Sequence, residues 1–185
     1  MTNDERRMND TTLLNKIRTS PKPLTFAIDG PCGGGKSTLA RELATGIDCT
    51  VVSADDFFLP GGEINLDVER LEREVLLSSG ETLTYHKYNC ATGQMTPITT
   101  DRKPVTIIEG SYSAILKPID FFVFLDVDRQ EQLQRLQQRN PDKYNRFATE
   151  WIPKENAYFD KYAIREKAKQ KPNIYTKSNF VCLQG

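Results

Sequence analysis

Residues 30–37 have the types and spacing needed to bind phosphate. They read Gly-Pro-Cys-Gly-Gly-Gly-Lys-Ser and match the pattern G-x-x-x-x-G-K-[ST] in full. Glycines let consecutive backbone N–H groups converge on phosphate oxygens, and a helix that begins at the loop adds partial positive charge. The lysine of such a loop pairs with the β- and γ-phosphates, and the following hydroxyl ligates Mg²⁺. The predicted nucleotide-binding residues are Gly30, Gly33, Gly34, Gly35, Lys36, Ser37 and Thr38.

Cys32 lies inside this loop. It is either a reactive thiol, because a helix N-terminus lowers the pKa of a cysteine, or simply a small residue that fits the turn. The four cysteines, at 32, 49, 90 and 182, include no CxxC pair and no metal-ligand spacing. This pattern is typical of free thiols in a cytoplasmic protein.

Two carboxylates follow short hydrophobic segments that we predict to be strands. Asp55 follows residues 50–53, and Glu109 follows residues 105–108. A carboxylate at the C-terminal end of a strand lies on the ligand edge of an open α/β sheet. Asp55 could orient an attacking hydroxyl and accept its proton, and Glu109 could hold Mg²⁺ directly or through water. A helix cap or a plain surface acid is the alternative for each. The candidate magnesium ligands are Ser37, Asp55 and Glu109.

Arg135 and Arg139 lie one helical turn apart in a helix predicted over 129–139. Arginines on a mobile lid can neutralise the charge of a transferring phosphoryl group. They could equally form a solvated face with Glu131. Further along, Glu155 shares helical spacing with an aromatic stripe, which we interpret mainly as packing, with Glu155 also available to pair with a lid arginine.

Strands and helices alternate along most of the chain. We predict strands at 24–28, 50–53, 105–108, 121–127 and 174–183, and a hairpin within 82–100 that turns at Thr92-Gly93. We predict helices beginning at 37, over 66–77 and 129–139, and over 142–168 with an interruption at Pro153. This order favours a three-layer α/β/α fold, with a parallel sheet covered on both faces.

Length and composition limit the function classes. The chain has 185 residues, with 25 Lys plus Arg against 25 Asp plus Glu, so there is no basic excess typical of nucleic-acid binding. No apolar run is long enough to span a membrane, and the N-terminus lacks a secretory apolar segment. We expect one cytoplasmic domain over 1–185. Its expected parts are an N-terminal helical extension (1–20), an acceptor-site insertion (82–100) and a lid region (129–165).

Five segments together resemble the uridine kinase family and its phosphoribulokinase and nicotinamide riboside kinase relatives. They are FAIDGPCGGGKSTLA (26–40), SADDFF (53–58), YHKYNCATG (85–93), VTIIEGSYS (105–113) and FVFLDVDRQEQLQRLQQR (122–139). The resemblance covers residues 25–165. It implies a P-loop NTPase fold with a parallel sheet of about five strands and a helical lid. It also implies transfer of the γ-phosphoryl group of ATP, with Mg²⁺, to a hydroxyl of a small molecule.

The resemblance also assigns roles to individual residues. It implies that Asp55 is the catalytic base, that Glu109 assists Mg²⁺, and that Tyr88 packs on the nucleobase of the acceptor. It makes the helix after residue 128 the start of the lid, and so favours the lid role of the two arginines. The candidate catalytic residues are Asp55, Lys36, Glu109, Arg135 and Arg139, and the candidate substrate-binding residues are Asp56, Phe58, Arg70 and Tyr88.

The acceptor site departs from the family pattern. Uridine kinases carry an Asp-His-Pro-Asp stretch whose second Asp binds the ribose hydroxyls, and here Arg70 takes that place. Gly93 replaces the histidine that reads the pyrimidine. Arg70 would suit an anionic acceptor, or it could pair with Glu74 in solvent. The departures leave a second hypothesis open, a nucleotide-binding regulatory protein without kinase activity. A homo-oligomer is compatible with the sequence, which does not determine the oligomeric state.

Overall fold

The computed structural model describes residues 13–170. A helix over 13–19, here α1, lies within the predicted N-terminal extension. The predicted last strand at 174–183 lies outside the described residues. No helix within the described range is both long and apolar enough to cross a membrane.

Four parallel strands form the central sheet. Within the described residues there are six strands in all, namely β1 (Leu24–Asp29), β2 (Cys49–Ser53), β3 (Thr82–Tyr88), β4 (Met95–Asp101), β5 (Val105–Glu109) and β6 (Phe121–Phe124). The sheet has the order β2-β5-β1-β6, and all of its neighbouring strands run parallel. Together with the flanking helices this confirms the predicted α/β fold, with four sheet strands in the described part of the chain where about five were expected.

Helices follow the strands and cover the sheet. They are α2 (Lys36–Gly46), α3 (Val68–Leu71), α4 (Arg129–Arg139), α5 (Tyr144–Arg146), α6 (Ile152–Lys161) and α7 (Ile164–Gln170). The helix α3 continues as a π-helical turn over Glu72–Leu76, and a second π turn over Phe147–Trp151 joins α5 to α6. The predicted helices at 66–77 and 129–139 are therefore confirmed in position.

Two hydrophobic clusters lie on opposite faces of the sheet because side chains alternate along each strand. On one face, Phe26 and Ile28 of β1 pack with Leu39 of α2 and Ile17 of α1. On the other face, side chains of β2, β5 and β6 pack against α3, α6 and α7. They include Val52, Ile108, Phe124, Leu71, Tyr158, Phe159 and Ile164. The three-layer arrangement thus follows from the near-continuous apolar composition of β1 and β5.

The predicted interruption at Pro153 is wrong. The chain remains helical from 141 to 161, and Pro153 lies in the first turn of α6. Proline is tolerated there because it directly follows the π turn over Phe147–Trp151, where the regular i→i−4 hydrogen-bond pattern is already interrupted. The helix instead ends at Tyr162, next to Ala163 with a φ of 49°.

The predicted hairpin is confirmed, with β3 and β4 paired in antiparallel register from Thr82–Asp101 to Tyr88–Met95. Its turn contains Gly93, at a φ of 70°. The hairpin is separate from the central sheet, and its buried face packs on α3 and the turn after β2 through Leu83 and Tyr85.

The carboxylate of Asp29, at the end of β1, joins three parts of the chain. Its Oδ1 accepts hydrogen bonds from the N–H groups of Gly30 (2.6 Å) and Tyr112 (3.1 Å). Its Oδ2 accepts from the Ala114 N–H (3.0 Å) and from the Tyr158 hydroxyl (2.7 Å). Asp29 is fully buried, and burial raises its pKa above the ordinary value, although these donors and the Lys36 ammonium oppose the shift.

We expect graded losses of stability at this carboxylate. Tyr158→Phe removes one of four hydrogen bonds and should lower the free energy of unfolding by about 1–2 kcal/mol. Asp29→Asn places an amide NH₂ group against hydrogen-bond donors. It should lower the free energy of unfolding further, by roughly 3–5 kcal/mol. Urea denaturation measures both, with the exposed Leu77→Ala as a control expected within about 0.5 kcal/mol of wild type. Equal stability of all four proteins would contradict the assignment.

Candidate active site

The glycine loop lies between β1 and α2, at the C-terminal edge of the sheet. Gly30 has a φ of 142°, and a Cβ there would lie 2.2 Å from the carbonyl oxygen of Leu125. Gly35 has a φ of 91° and precedes the first residue of α2. Both positions require glycine. At Gly30 the neighbouring backbone leaves no room for a Cβ atom, and at Gly35 the backbone adopts a left-handed conformation that other residues rarely take. The loop therefore ends with the N–H groups of the first turn of α2 free of i→i−4 partners.

Lys36 places its ammonium group within the curve of this loop. The side chain is 9% exposed, and Nζ donates to the carbonyl oxygens of Gly30 (2.7 Å) and Pro31 (3.0 Å) and to Oγ of Ser111 (3.2 Å). The charge is thus held beside the backbone groups that the sequence assigns to phosphate. This position agrees with the predicted role of Lys36.

Ser37 and Glu109 form a pair of oxygen ligands next to the loop. The Ser37 hydroxyl donates to Oε2 of Glu109 at 2.8 Å, and Glu109 is 8% exposed at the end of β5. A hydroxyl and a carboxylate are hard oxygen donors of the kind that Mg²⁺ prefers. No cluster of three or more metal-ligating side chains occurs within residues 13–170.

The two neighbouring acids after β2 have different surroundings. Asp55 is exposed and lines the cavity beside the loop. Asp56 is 8% exposed and faces the hairpin, where it accepts from the Tyr85 hydroxyl (3.0 Å) and pairs with Lys87 (2.8 Å). The structure therefore brings Asp55 to the cavity and does not bring Asp56 there.

A cavity of about 770 Å³ extends from the loop to the hairpin and α5–α6. Lys36, Ser37 and Glu109 line it beside the glycine loop, and we call this part the phosphate end after the predicted role of the loop; Phe58 and Tyr88, from the turn after β2 and from the hairpin, line what we call its other end. The Phe58 and Tyr88 rings stack with centroids 5.9 Å apart and an interplanar angle of 27°. The remaining lining residues of the loop and of the lid side are Cys32, Gly33, Gly35, Thr38, Ser111, Tyr112, Arg139, Lys143, Arg146, Phe147, Trp151 and Glu155.

Arg70 lies away from this cavity. The residue is 7% exposed, and its guanidinium carbon lies over the Phe57 ring, 4.5 Å from the ring centroid. It bonds to the Asp67 carboxylate at 3.2 Å and to the carbonyl oxygens of His86 and Asp56. Neither expectation for Arg70 is met, because it does not line the cavity and it pairs with Asp67 rather than Glu74. Its guanidinium instead joins α3 to the turn after β2 and to the hairpin.

The two arginines predicted to belong to a lid have different surroundings. Arg139 lines the cavity, as expected of a residue that could reach phosphate. Arg135 donates to the carbonyl oxygen of Gly33 at 3.0 Å and pairs with Glu131. Arg135 therefore contacts the backbone of the loop from outside the cavity, and the Glu131 pairing that we considered is present.

Sequence analysis missed Ser111 and underestimated Glu155. Ser111 lies in the loop after β5 and bonds to Lys36. Glu155 is 4% exposed and contacts the glycine loop at Cys32. An acid on an otherwise apolar stripe was the available signal for Glu155.

Burial and the Glu155 carboxylate raise the pKa of the Cys32 thiol above its ordinary value, which opposes the reactive-thiol alternative.

Comparison with known proteins gives two kinds of relative. No family model matches the chain. Nicotinamide riboside kinase 1 of Rattus norvegicus is 32% identical over 109 residues, which are 54% of this chain and 55% of that protein. The Homo sapiens protein of the same name is 32% identical over 108 residues, covering 54% of each chain. The chain thus aligns with only about half the length of these relatives.

A solved structure titled as a possible uridine kinase from Bacillus stearothermophilus has a similar fold. It superposes with a TM-score of 0.63 at 23% sequence identity, and the match covers 92% of this chain and 99% of that one. The fold is thus shared over nearly the whole length, and the sequence similarity to named kinases is concentrated in about half of it. The resemblance found in the motifs agrees with both findings: the chain is similar in sequence to nicotinamide riboside kinases over about half its length, and similar in fold to a possible uridine kinase over most of it.

Proposed function

We propose that the protein is a nucleoside-type kinase that transfers the γ-phosphoryl group of ATP, with Mg²⁺, to a hydroxyl of a small molecule. The observation that carries this proposal is that Asp55 lines the same cavity as Lys36 and the Ser37–Glu109 pair. The names of the sequence relatives support the same class.

The phosphate end of the cavity would bind the triphosphate. Lys36 and the first-turn N–H groups of α2 supply positive charge, and Arg139 is close enough to line the same space. Ser37 and Glu109 would hold Mg²⁺, which neutralises phosphate charge when bound. These groups hold the phosphates in one orientation, and positioning of this kind supplies most of the catalysis in phosphoryl transfer.

The acceptor would occupy the other end of the cavity. Asp55 can accept a hydrogen bond from the attacking hydroxyl and take its proton as the oxygen bonds to the γ-phosphorus, while the bond from that phosphorus to the bridging oxygen breaks and ADP leaves. The Phe58 and Tyr88 rings present apolar surface on which a flat ring could pack. These features support an acceptor with a ring and a free hydroxyl, such as a nucleoside.

An ADP-release screen with Mg·ATP tests the proposal. The panel includes uridine, nicotinamide riboside, other nucleosides, pantothenate, sugars and sugar phosphates. At least one nucleoside should be phosphorylated, and product mass should increase by one phosphoryl group. If no compound of the panel is phosphorylated although calorimetry confirms that ATP binds, the result would instead favour a nucleotide-binding regulatory protein.

Asp55→Asn should lower the transfer rate by about 10²- to 10⁴-fold, because the variant cannot accept the hydroxyl proton. Nucleotide affinity, measured by calorimetry with Mg·ADP, should remain within about threefold of wild type, because the proposal assigns nucleotide binding to the glycine loop, Lys36, Ser37 and Glu109 and not to Asp55. Asp48→Asn, an exposed acid just before β2, is the matched control. Turnover of Asp55→Asn at the wild-type rate would remove Asp55 from the mechanism.

Glu109→Gln should increase the Mg²⁺ concentration needed for half-maximal activity by about 10- to 100-fold. The amide keeps the shape of the side chain but loses the charge that attracts the cation. A Mg²⁺ titration at a fixed ATP concentration measures the change. The control Asp48→Asn should keep the wild-type magnesium requirement. An unaltered magnesium requirement would show that Glu109 serves only to orient Ser37.

A further inference from the structure

The carboxylate of Glu155 is buried against the glycine loop, although its helix belongs to the lid region. Both of its oxygens lie within hydrogen-bond distance of the Cys32 N–H, at 2.9 and 3.1 Å. The Oε1 atom also accepts from the Ser111 hydroxyl at 2.6 Å. Within residues 13–170, Glu155 forms no ion pair with an arginine; its partners are neutral donors.

The Ser111 hydroxyl connects this carboxylate to Lys36. A hydroxyl has one proton, and the shortest contact of Ser111 Oγ is with Glu155. Its lone pairs are then free to accept from the Lys36 ammonium, which lies 3.2 Å away. The three residues form a chain in which Lys36 donates to Ser111 and Ser111 donates to Glu155. A charged acceptor at the end of such a chain strengthens each bond in it.

Glu155 therefore constrains the loop at two points. It holds the backbone at Cys32, next to the glycines that must present their N–H groups. It also restrains the direction of the Lys36 ammonium through Ser111. Packing of α6 fixes the carboxylate itself, since Ile152 and Tyr158 on the same helix are almost fully buried.

We propose that Glu155 is a positioning residue for phosphoryl transfer, which orients Lys36 through Ser111 and fixes the loop at Cys32. The inference rests on the proposed kinase function for its rate measurements, but it has a separate readout in nucleotide binding. In this role Glu155 makes no hydrogen bond to the acceptor or to the phosphates, and its specific effect on the reaction passes through Ser111, Lys36 and the loop backbone.

A double-mutant cycle of Glu155→Gln and Ser111→Ala tests the proposal. Each single variant should lower kcat by about 10- to 100-fold, the effect of losing a hydrogen bond to a charged group. The double variant should be no slower than the slower single variant, because either change breaks the same chain. The resulting coupling should be at least as large as the smaller single effect, about 10-fold or more. Asp160→Asn, an exposed acid on the same helix, is the control and should keep the wild-type kcat.

The same cycle measured on the Mg·ATP dissociation constant separates this inference from the proposed function. Removing the Glu155 charge alters phosphate affinity by Coulomb forces in both Ser111 backgrounds, so that contribution cancels in the cycle. If wild type phosphorylates no acceptor, the proposed function fails while coupling in binding still supports the Glu155–Ser111–Lys36 chain.

Additive effects within about twofold, in rate and in binding, would overturn the proposal. A lower melting temperature with unchanged kcat would also overturn it, because a purely structural role predicts that result. If Glu155→Gln does not fold, Glu155→Asp replaces it in the cycle. The shorter carboxylate keeps the charge but cannot reach both Cys32 and Ser111, so coupling with Ser111→Ala should persist at a smaller size.

Discussion

The hydrogen bonds accepted by the buried Asp29 carboxylate hold together the parts of the chain that form the site. They come from the start of the glycine loop, from the segment after β5 and from α6. These segments are distant in sequence, and each bond fixes backbone or a side chain at the C-terminal edge of the sheet. A fully buried carboxylate is costly to desolvate, so it is stable only while its donors remain in place. The geometry of the loop therefore depends on the packing of α6.

Several carboxylates surround one phosphate loop, and their different surroundings give them different chemistry. Asp29 is surrounded by donors and supports the scaffold. Glu109 faces a hydroxyl, in an arrangement suited to a cation. Glu155 accepts from the loop backbone, while Asp56 is tied to the hairpin. Asp55 alone among these is exposed in the cavity, which is the condition for a group that must exchange a proton with a substrate.

The other end of the cavity depends on Arg70, although Arg70 does not reach it. The guanidinium bonds α3 to two backbone carbonyls and packs on Phe57, so it supports the hairpin that carries Tyr88. An arginine suits this position because its planar group can stack and donate in several directions at once. Arg70 thus has a structural part in the fold, and the aromatic lining of the cavity near the hairpin comes from Phe58 and Tyr88.

Local pattern was enough to predict much of this protein. The α/β fold was predicted from the loop motif, from the apolar strand before it and from the alternation of strands and helices along the chain. Each of these signals depends only on neighbours in sequence. The same holds for Lys36, Ser37, Asp55 and Glu109, whose positions follow from the ends of strands and the start of a helix. Pro153 was misjudged because a proline in the first turn of a helix has no local signature that distinguishes it from a helix break.

Only the tertiary structure decided how side chains from distant segments pair. It determined that Arg70 faces Asp67 and the hairpin, that Arg135 contacts the loop from outside, and that Glu155 meets Ser111 across 44 positions of sequence. Spacing along one helix predicts which residues share a face but not what that face will contact. The sequence by itself therefore determined the glycine-loop motif and its place between a strand and a helix, and the packing of α4 and α6 decided that Arg135 and Glu155 contact this loop.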